Sequence, residues 1–222
     1  MCLMALPLGL AHAASVGNTL DTPAMQAPQA KSAVLLDLAR AGARLVAVGE
    51  RGIVLLSDDH GVSWRQATVP VSVSLTAVQF VDALTGWAVG HAGVVLVTHD
   101  GGEHWMVQLD GLRAAQLELV SARQQQPSAT DQVAAAARVQ TAERLASEGA
   151  DKPFLAVQFV DDRHGLIVGA YGLAFRTDDG GTTWHSIMGD IDNPMGAHLS
   201  AITQQGQHWF LAGEQGYLAR SD

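Results

Sequence analysis

The sequence predicts an all-β fold, a β-propeller of four-stranded blades with an α-helical hairpin inserted between two of them. Two observations carry this prediction. A 16-residue pattern, G-x-x-G-x-x-x-x-[ST]-x-D-x-G-x-x-W, runs from Gly49 to Trp64, from Gly90 to Trp105 and from Gly169 to Trp184. A fourth copy begins at Gly213 and reaches Ser221-Asp222. The spacing then gives the architecture: Trp64 and Trp105 are 41 residues apart, whereas Trp105 and Trp184 are separated by 79, longer by 38. Four short strands in each period of roughly 40–45 residues is the signature of a propeller blade.

The chain opens on an apolar run, Cys2 to Leu10, followed by Ala11-His12-Ala13, a small-x-small pattern like that of a secretory cleavage site. Residues 1–13 are therefore expected to be a signal peptide, although no Lys or Arg precedes Lys31. Residues 14–31, rich in Ser, Thr, Pro, Gln and Ala, read as a flexible leader. Cys2 has no cysteine to pair with. An exported product, in a periplasm or similar oxidising compartment, is the expectation. With 22 Asp+Glu against 13 Lys+Arg, the balance argues against a nucleic-acid partner, which would call for a basic patch.

The propeller is expected over residues 32–222, interrupted at 111–150. In the second repeat the strands read as Ala77–Val81, Gly86–Val89, Val94–Thr98 and Trp105–Leu109. Without the insertion the repeats amount to just under four periods, so about four blades of a larger ring are expected. Ala77-Val78-Gln79-Phe80-Val81-Asp82 parallels Ala156-Val157-Gln158-Phe159-Val160-Asp161, extending the repeat upstream.

Residues 111–150 hold eleven Ala and six Gln. No Gly occurs between Leu112 and Glu148. Two helices are expected, about Leu112–Gln126 and Thr130–Ser147, with Thr130 or Ser128 as the second N-cap and Gly149 as the stop. The charges of the insertion cancel, so it can pack against another helix.

The pattern has a structural explanation. Ser57, Thr98 and Thr177 precede Asp59, Asp100 and Asp179, whose carboxylates can accept backbone amides of their own turn. Gly61, Gly102 and Gly181 allow the positive φ that the turn needs. Trp64, Trp105 and Trp184 are then free to pack between neighbouring blades. A calcium loop would need alternating carboxylates, which Asp178-Asp179-Gly180-Gly181 lacks.

These boxes are similar to the Asp-box, or BNR, repeat of sialidases and other propellers. Phe80-Val81-Asp82, Gly86-Trp87-Ala88-Val89-Gly90, Gly93, Thr98, Asp100-Gly101-Gly102 and Trp105 together resemble the photosystem II stability/assembly factor family. Phe159-Val160-Asp161, Gly165, Val168-Gly169 and Thr177 to Trp184 repeat the likeness. The resemblance implies a seven-bladed, non-enzymatic propeller that helps assemble a membrane complex. Its partner would be an envelope or membrane protein, either a photosystem II subunit or an exporter-type complex. The helical insertion departs from the photosynthetic pattern and favours a bacterial relative.

The other class considered is an Asp-box glycoside hydrolase of sialidase type. Arg51, Arg176 and Arg220 with Tyr171 or Tyr217 would have to supply it, but no F/Y-R-I-P segment precedes the first box. His60, His91, His99, His104, His164 and His185 fall mostly in turns without metal-ligand spacing. No catalytic residue, metal ligand or cofactor is assigned. Topology places the turns between second and third strands on one face with the inter-blade links, opposite the box turns. Glu50, Arg51, His91, Tyr171, Asp192, Asn193, His198 and Glu214 are therefore the candidate partner-binding residues, since loops on a rigid scaffold concentrate binding.

Overall fold

The computed structural model describes residues 19–221. The expected signal peptide at 1–13 lies outside them. Four antiparallel sheets follow one another along the chain. Strands β1 (Leu35–Ala41), β2 (Arg44–Gly49), β3 (Val54–Ser57) and β4 (Arg65–Gln66) make the first blade. The second comprises β5 (Leu75–Phe80), β6 (Gly86–Gly90), β7 (Val95–Thr98) and β8 (Met106–Leu109), within a residue or two of the predicted strands. The third comprises β9 (Phe154–Phe159), β10 (Gly165–Gly169), β11 (Ala174–Thr177) and β12 (His185–Ser186), and the fourth β13 (Leu199–Gln205), β14 (His208–Gly213) and β15 (Leu218–Arg220).

The central strands are apolar because both of their faces are covered. Val46, Val48 and Leu56 of the first blade meet Ala88, Leu96 and Trp105 of the second in one buried cluster. Trp87, Val97 and Leu109 meet Phe159, Ile167 and Trp184 in the next. Within it the rings of Trp87 and Phe159 stack with centroids 3.5 Å apart. The Phe-Val-Asp repeats are explained by the strand that follows them. A Cβ on Gly86 or Gly165 would fall 2.6 Å from the ring of Phe80 or Phe159, so each phenylalanine lies across a glycine. Asp82 and Asp161 then tie the β5–β6 and β9–β10 turns through backbone amides two and three residues on.

Each box is closed by its own side chains. The Thr98 hydroxyl donates to Asp100 Oδ1 at 2.9 Å and accepts the Gly102 N–H at 3.0 Å, while Asp100 accepts the His104 N–H. The same pattern joins Ser57, Asp59, Gly61 and Ser63, and again Thr177, Asp179, Gly181 and Thr183. Hydrogen bonds from the Ser63 hydroxyl and amide bring the Asp59 carboxyl down to about 2. Gly61, Gly102 and Gly181 have φ of 88°, 89° and 88°. Trp105 and Trp184 are 4% and 3% exposed. Each packs on the blade before it.

Trp64 differs from the inter-blade expectation. It is only half-buried, and its cluster of Ala47, Ile53 and Leu55 is covered by Ala30 and Ala33. This corrects the reading of residues 14–31 as a flexible leader over its described part. Ala24 donates its N–H to the Val69 carbonyl, Gln26 Nε2 to the Ala67 carbonyl, and Ala27 N–H to Gln66 Oε1. The apolar face of the first blade has no preceding blade among the described residues, and this segment removes it from water.

The insertion forms α1 (Gly111–Gln125) and α2 (Gln132–Glu148). The second N-cap is Asp131, not Thr130 or Ser128; its carboxylate accepts the N–H of both Val133 and Ala134, satisfying two of the helix's orphan donors. Ala114, Ala115 and Leu145 enter the core between the second and third blades. Glu118 is 1% exposed on α1 and takes a two-point bond from the Arg138 guanidinium on α2, with distances of 2.8 and 3.0 Å. Ser186 of β12 donates to the same carboxylate and so ties the hairpin to the third blade.

Candidate partner-binding face

The turn between second and third strands is built alike in every blade. Gly49, Gly90, Gly169 and Gly213 are extended, and a Cβ on any of them would lie 2.1–2.3 Å from the carbonyl oxygen just before the inner strand. The next residue donates its N–H to that carbonyl: Glu50 to Val34, His91 to Ser74, Ala170 to Pro153 and Glu214 to His198. The third position enters the left-handed region at Arg51, Ala92, Tyr171 and Gln215, with φ of 56–58°.

Two of the candidate residues are committed to this framework. Glu50 Oε1 accepts the Val34 N–H at 3.1 Å, and Glu214 Oε1 accepts the His198 N–H at 3.0 Å. Both therefore brace the entry to an inner strand. Arg51 is exposed on the first blade, and His91 is exposed on the second. The rest gather on the third and fourth blades.

That gathering centres on Tyr171. Its N–H lies 3.1 Å from His198 Nδ1. The two rings lie 4.9 Å apart, and Lys152 Nζ is 5.1 Å from the tyrosine centroid, within cation–π range. Glu214 Oε1 is 3.3 Å from the same His198 nitrogen. Asn193 spends its amide on its own loop, donating to the Ala197 carbonyl and accepting the Ala197 N–H. The Asp192 carbonyl accepts the Tyr217 hydroxyl at 3.1 Å. Burial pushes the Tyr217 phenol up, and the Asp192 charge adds to it.

Lys152, Tyr217 and the Glu118–Arg138 pair were missed as neighbours of this face. Glu118 alone carried a signal, since it falls between Ala115 and Leu119 on the apolar side of α1. The arginines considered for a sialidase lie on three different blades. Arg176 pairs with Asp178 at 3.2 Å, and Arg220 lies 3.1 Å from His208. Among the described residues no three His, Cys, Asp or Glu side chains form a metal-binding group.

Four sheets stacked blade on blade, closed by Asp boxes and carrying a loop face on one side, define an Asp-box β-propeller. The chain belongs to the family of the photosynthesis system II assembly factor YCF48, whose model matches residues 56–126 and 135–222. It is 29% identical over 170 residues to the photosystem II assembly protein Ycf48 of Synechococcus sp. (strain JA-2-3B'a(2-13)), covering 68% of this chain and 50% of the relative. A second relative, the photosystem II assembly lipoprotein Ycf48 of Synechococcus sp. (strain CC9902), is 36% identical over 67 residues, 30% of this chain and 20% of its own. The chain thus spans half the length of the first of them. Among solved structures, YCF48 bound to D1 peptide superposes with a TM-score of 0.55 at 16% identity, over 89% of this chain and 53% of that one. A GH74 enzyme of Niastella koreensis shares the fold at a TM-score of 0.53 and 13% identity, over 84% and 28%. At such identities these likenesses speak for the fold alone.

Proposed function

We propose that this chain serves as an exported, non-enzymatic scaffold in the assembly or stabilisation of a membrane protein complex of photosystem II type. It would act through protein–protein contacts made by the face of the G-x-x-G turns and the helical hairpin. One observation carries the proposal. Tyr171, His198, Asn193, Asp192 and Glu214 converge on this face beside α2, on loops held rigid by their own hydrogen bonds. Family membership supports it, as do the relative named a photosystem II assembly protein and the solved relative bound to a D1 peptide. The apolar start of the chain and the relative named a lipoprotein support export to a periplasm or a lumen-like compartment.

The test is capture of membrane proteins by the full chain, with and without Gly111–Ala150, alongside fluorescence-polarisation titration of tiled D1 peptides. A specific membrane partner lost on deletion, from a protein that still folds, supports the hairpin as a docking arm. Retention of the partner assigns docking elsewhere. Turnover of aryl glycosides, abolished by changing Tyr171 or Arg176, overturns the scaffold reading in favour of a glycosidase.

A further inference from the structure

His198 stands just before β13, where the third and fourth blades meet on the face of the G-x-x-G turns. Its Nδ1 has two close neighbours with opposite demands. The Tyr171 N–H of the third blade lies 3.1 Å away, and Glu214 Oε1 of the fourth blade lies 3.3 Å away. An amide can bond only to a bare ring nitrogen, whereas a carboxylate needs one that carries a proton. No single state of Nδ1 satisfies both. Neutral imidazole can leave Nδ1 bare and accept the amide. In the imidazolium both nitrogens are donors, so the amide is refused and the carboxylate is taken.

Both neighbours are anchored. Glu214 Oε1 accepts the His198 N–H at 3.0 Å, and the Glu214 N–H donates to the His198 carbonyl. Tyr171 sits in a closed turn, with the Gly169 N–H on the Leu173 carbonyl at 2.8 Å and the Leu173 N–H on the Ala170 carbonyl at 3.1 Å. The choice between them therefore falls to a proton. Imidazole is the side chain whose charge ordinarily changes between pH 5 and 8.

The other charged and titratable groups nearby are already engaged or turned to solvent. The Tyr171 ring, 4.9 Å from the imidazole, has Lys152 Nζ 5.1 Å from its centroid. Lys152 is itself paired with Glu148 and Asp151. On the loop that leads to His198, Asp190 and Asp192 are exposed, and the Asp192 carbonyl accepts the Tyr217 hydroxyl. Glu214 is thus the carboxylate that meets the ring.

The residues in the same place before β5 and β9 are Ser74 and Pro153, neither of which titrates in this range. The contact also reaches a position on the candidate face. Tyr171 lines a cleft between α2 and the 188–196 loop, together with Lys152 and Asp192.

We propose that His198 is a proton-operated clasp between the third and fourth blades. Its neutral ring ties the Tyr171 turn to the fourth blade; its protonated ring releases that turn and bonds Glu214 instead. At neutral pH the two blades present one continuous surface, and in acid the Tyr171 turn is freed from its neighbour. The clasp stands on this geometry alone. Its consequence for a partner rests on the docking reading above.

The test follows the Tyr171 amide proton and the His198 ring by NMR from pH 8 to pH 5 in the full chain. The amide resonance is expected to move in a single step that shares its midpoint with the ring. His198→Asn keeps an acceptor near the place of Nδ1 but does not titrate, so the step should vanish and the amide should stay at its neutral-pH position. His198→Ala should hold it near its acid position at every pH. An amide that does not move, a step that survives in His198→Asn, or two different midpoints overturns the proposal. If His198→Ala fails to fold, the native chain and the asparagine variant still decide. Capture of the membrane partner should fall at least 3-fold between pH 7.5 and 5.5 in the native chain and hold steady in His198→Asn. Equal losses in both overturn the effect on the partner. A chain that captures nothing at either pH loses the docking reading, while the amide step still decides the clasp.

Discussion

The side-chain amide of Gln79 clasps the backbone of Phe159 at two points. Its Nε2 donates to the Phe159 carbonyl at 2.9 Å and its Oε1 accepts the Phe159 N–H at 2.5 Å. One side chain on the inner strand of the second blade thus does for the third blade what a paired strand would do. Leaving a buried amide unpaired costs about 1–3 kcal/mol. Gln79→Ala should lower stability by about 2 kcal/mol, seen as a lower urea midpoint at unchanged slope. A loss under about 0.5 kcal/mol would show that water replaces the clasp.

Acid should loosen the turns before the cores. Hydrogen bonds from the His164 amide and ring and the Arg163 amide bring Asp161 down to about 2, as those of Ser63 do for Asp59. An unfolded carboxyl titrates near 4. These groups therefore contribute stability that is complete above about pH 5 and is lost as pH falls through 4 toward 2. Thermal melts between pH 6 and 2.5 should show Tm falling over this window. Asp59→Asn should lower Tm at pH 6 and flatten the acid slope; an unaltered slope would remove Asp59 from the account.

The ion pair inside the hairpin is a stronger commitment. Removing Glu118 leaves the Arg138 guanidinium half-buried and uncompensated, and breaking such a pair costs about 3–5 kcal/mol. Glu118→Ala should melt the helices, reducing ellipticity at 222 nm. The double replacement Glu118→Leu with Arg138→Leu should recover most of the loss. If the double variant is as damaged as the single one, the pair is not the cause.

The box tryptophans should rank by what covers them. Trp105→Ala removes a side chain closed in by the first blade and should cost about 3–5 kcal/mol. Trp64→Ala, under the 24–33 segment and half-buried, should cost less than half as much. Equal losses would mean that the segment seals its face as well as a blade does.

Much of the fold was legible because the repeat spells it out. A 41-residue spacing, the Asp boxes and the Phe-Val-Asp turns are local signals, each tied to a nearby bond. What stayed hidden depends on distance along the chain. Residues 19–31 look like a linker by composition; only the Trp64 face, more than thirty residues on, makes Ala30 a core residue, and only the cluster of Val69 and Val71 does so for Ala24. Asp131 outranked Thr130 as the cap because its carboxylate reaches two amides together, which adjacent cap formers in a sequence do not reveal. The candidate face was legible as a set of turns. That Glu50 and Glu214 brace inner strands, while Tyr171 stands over a cleft, required the register between strands.

The two ends of the helical insertion meet. A Cβ on Gly111 would fall 2.9 Å from the Cα of Ala150. Everything between them leaves and re-enters the propeller through one gap, so the path of the chain through the blades does not depend on the length of what the gap carries, although Ala114, Ala115 and Leu145 of the present hairpin close the core beside it. Surface positions of this kind accept foreign segments readily. The same junction is a socket: another module, a reporter or a binding domain can be seated there without redrawing the blades, provided it restores the apolar cover that Ala114, Ala115 and Leu145 now supply.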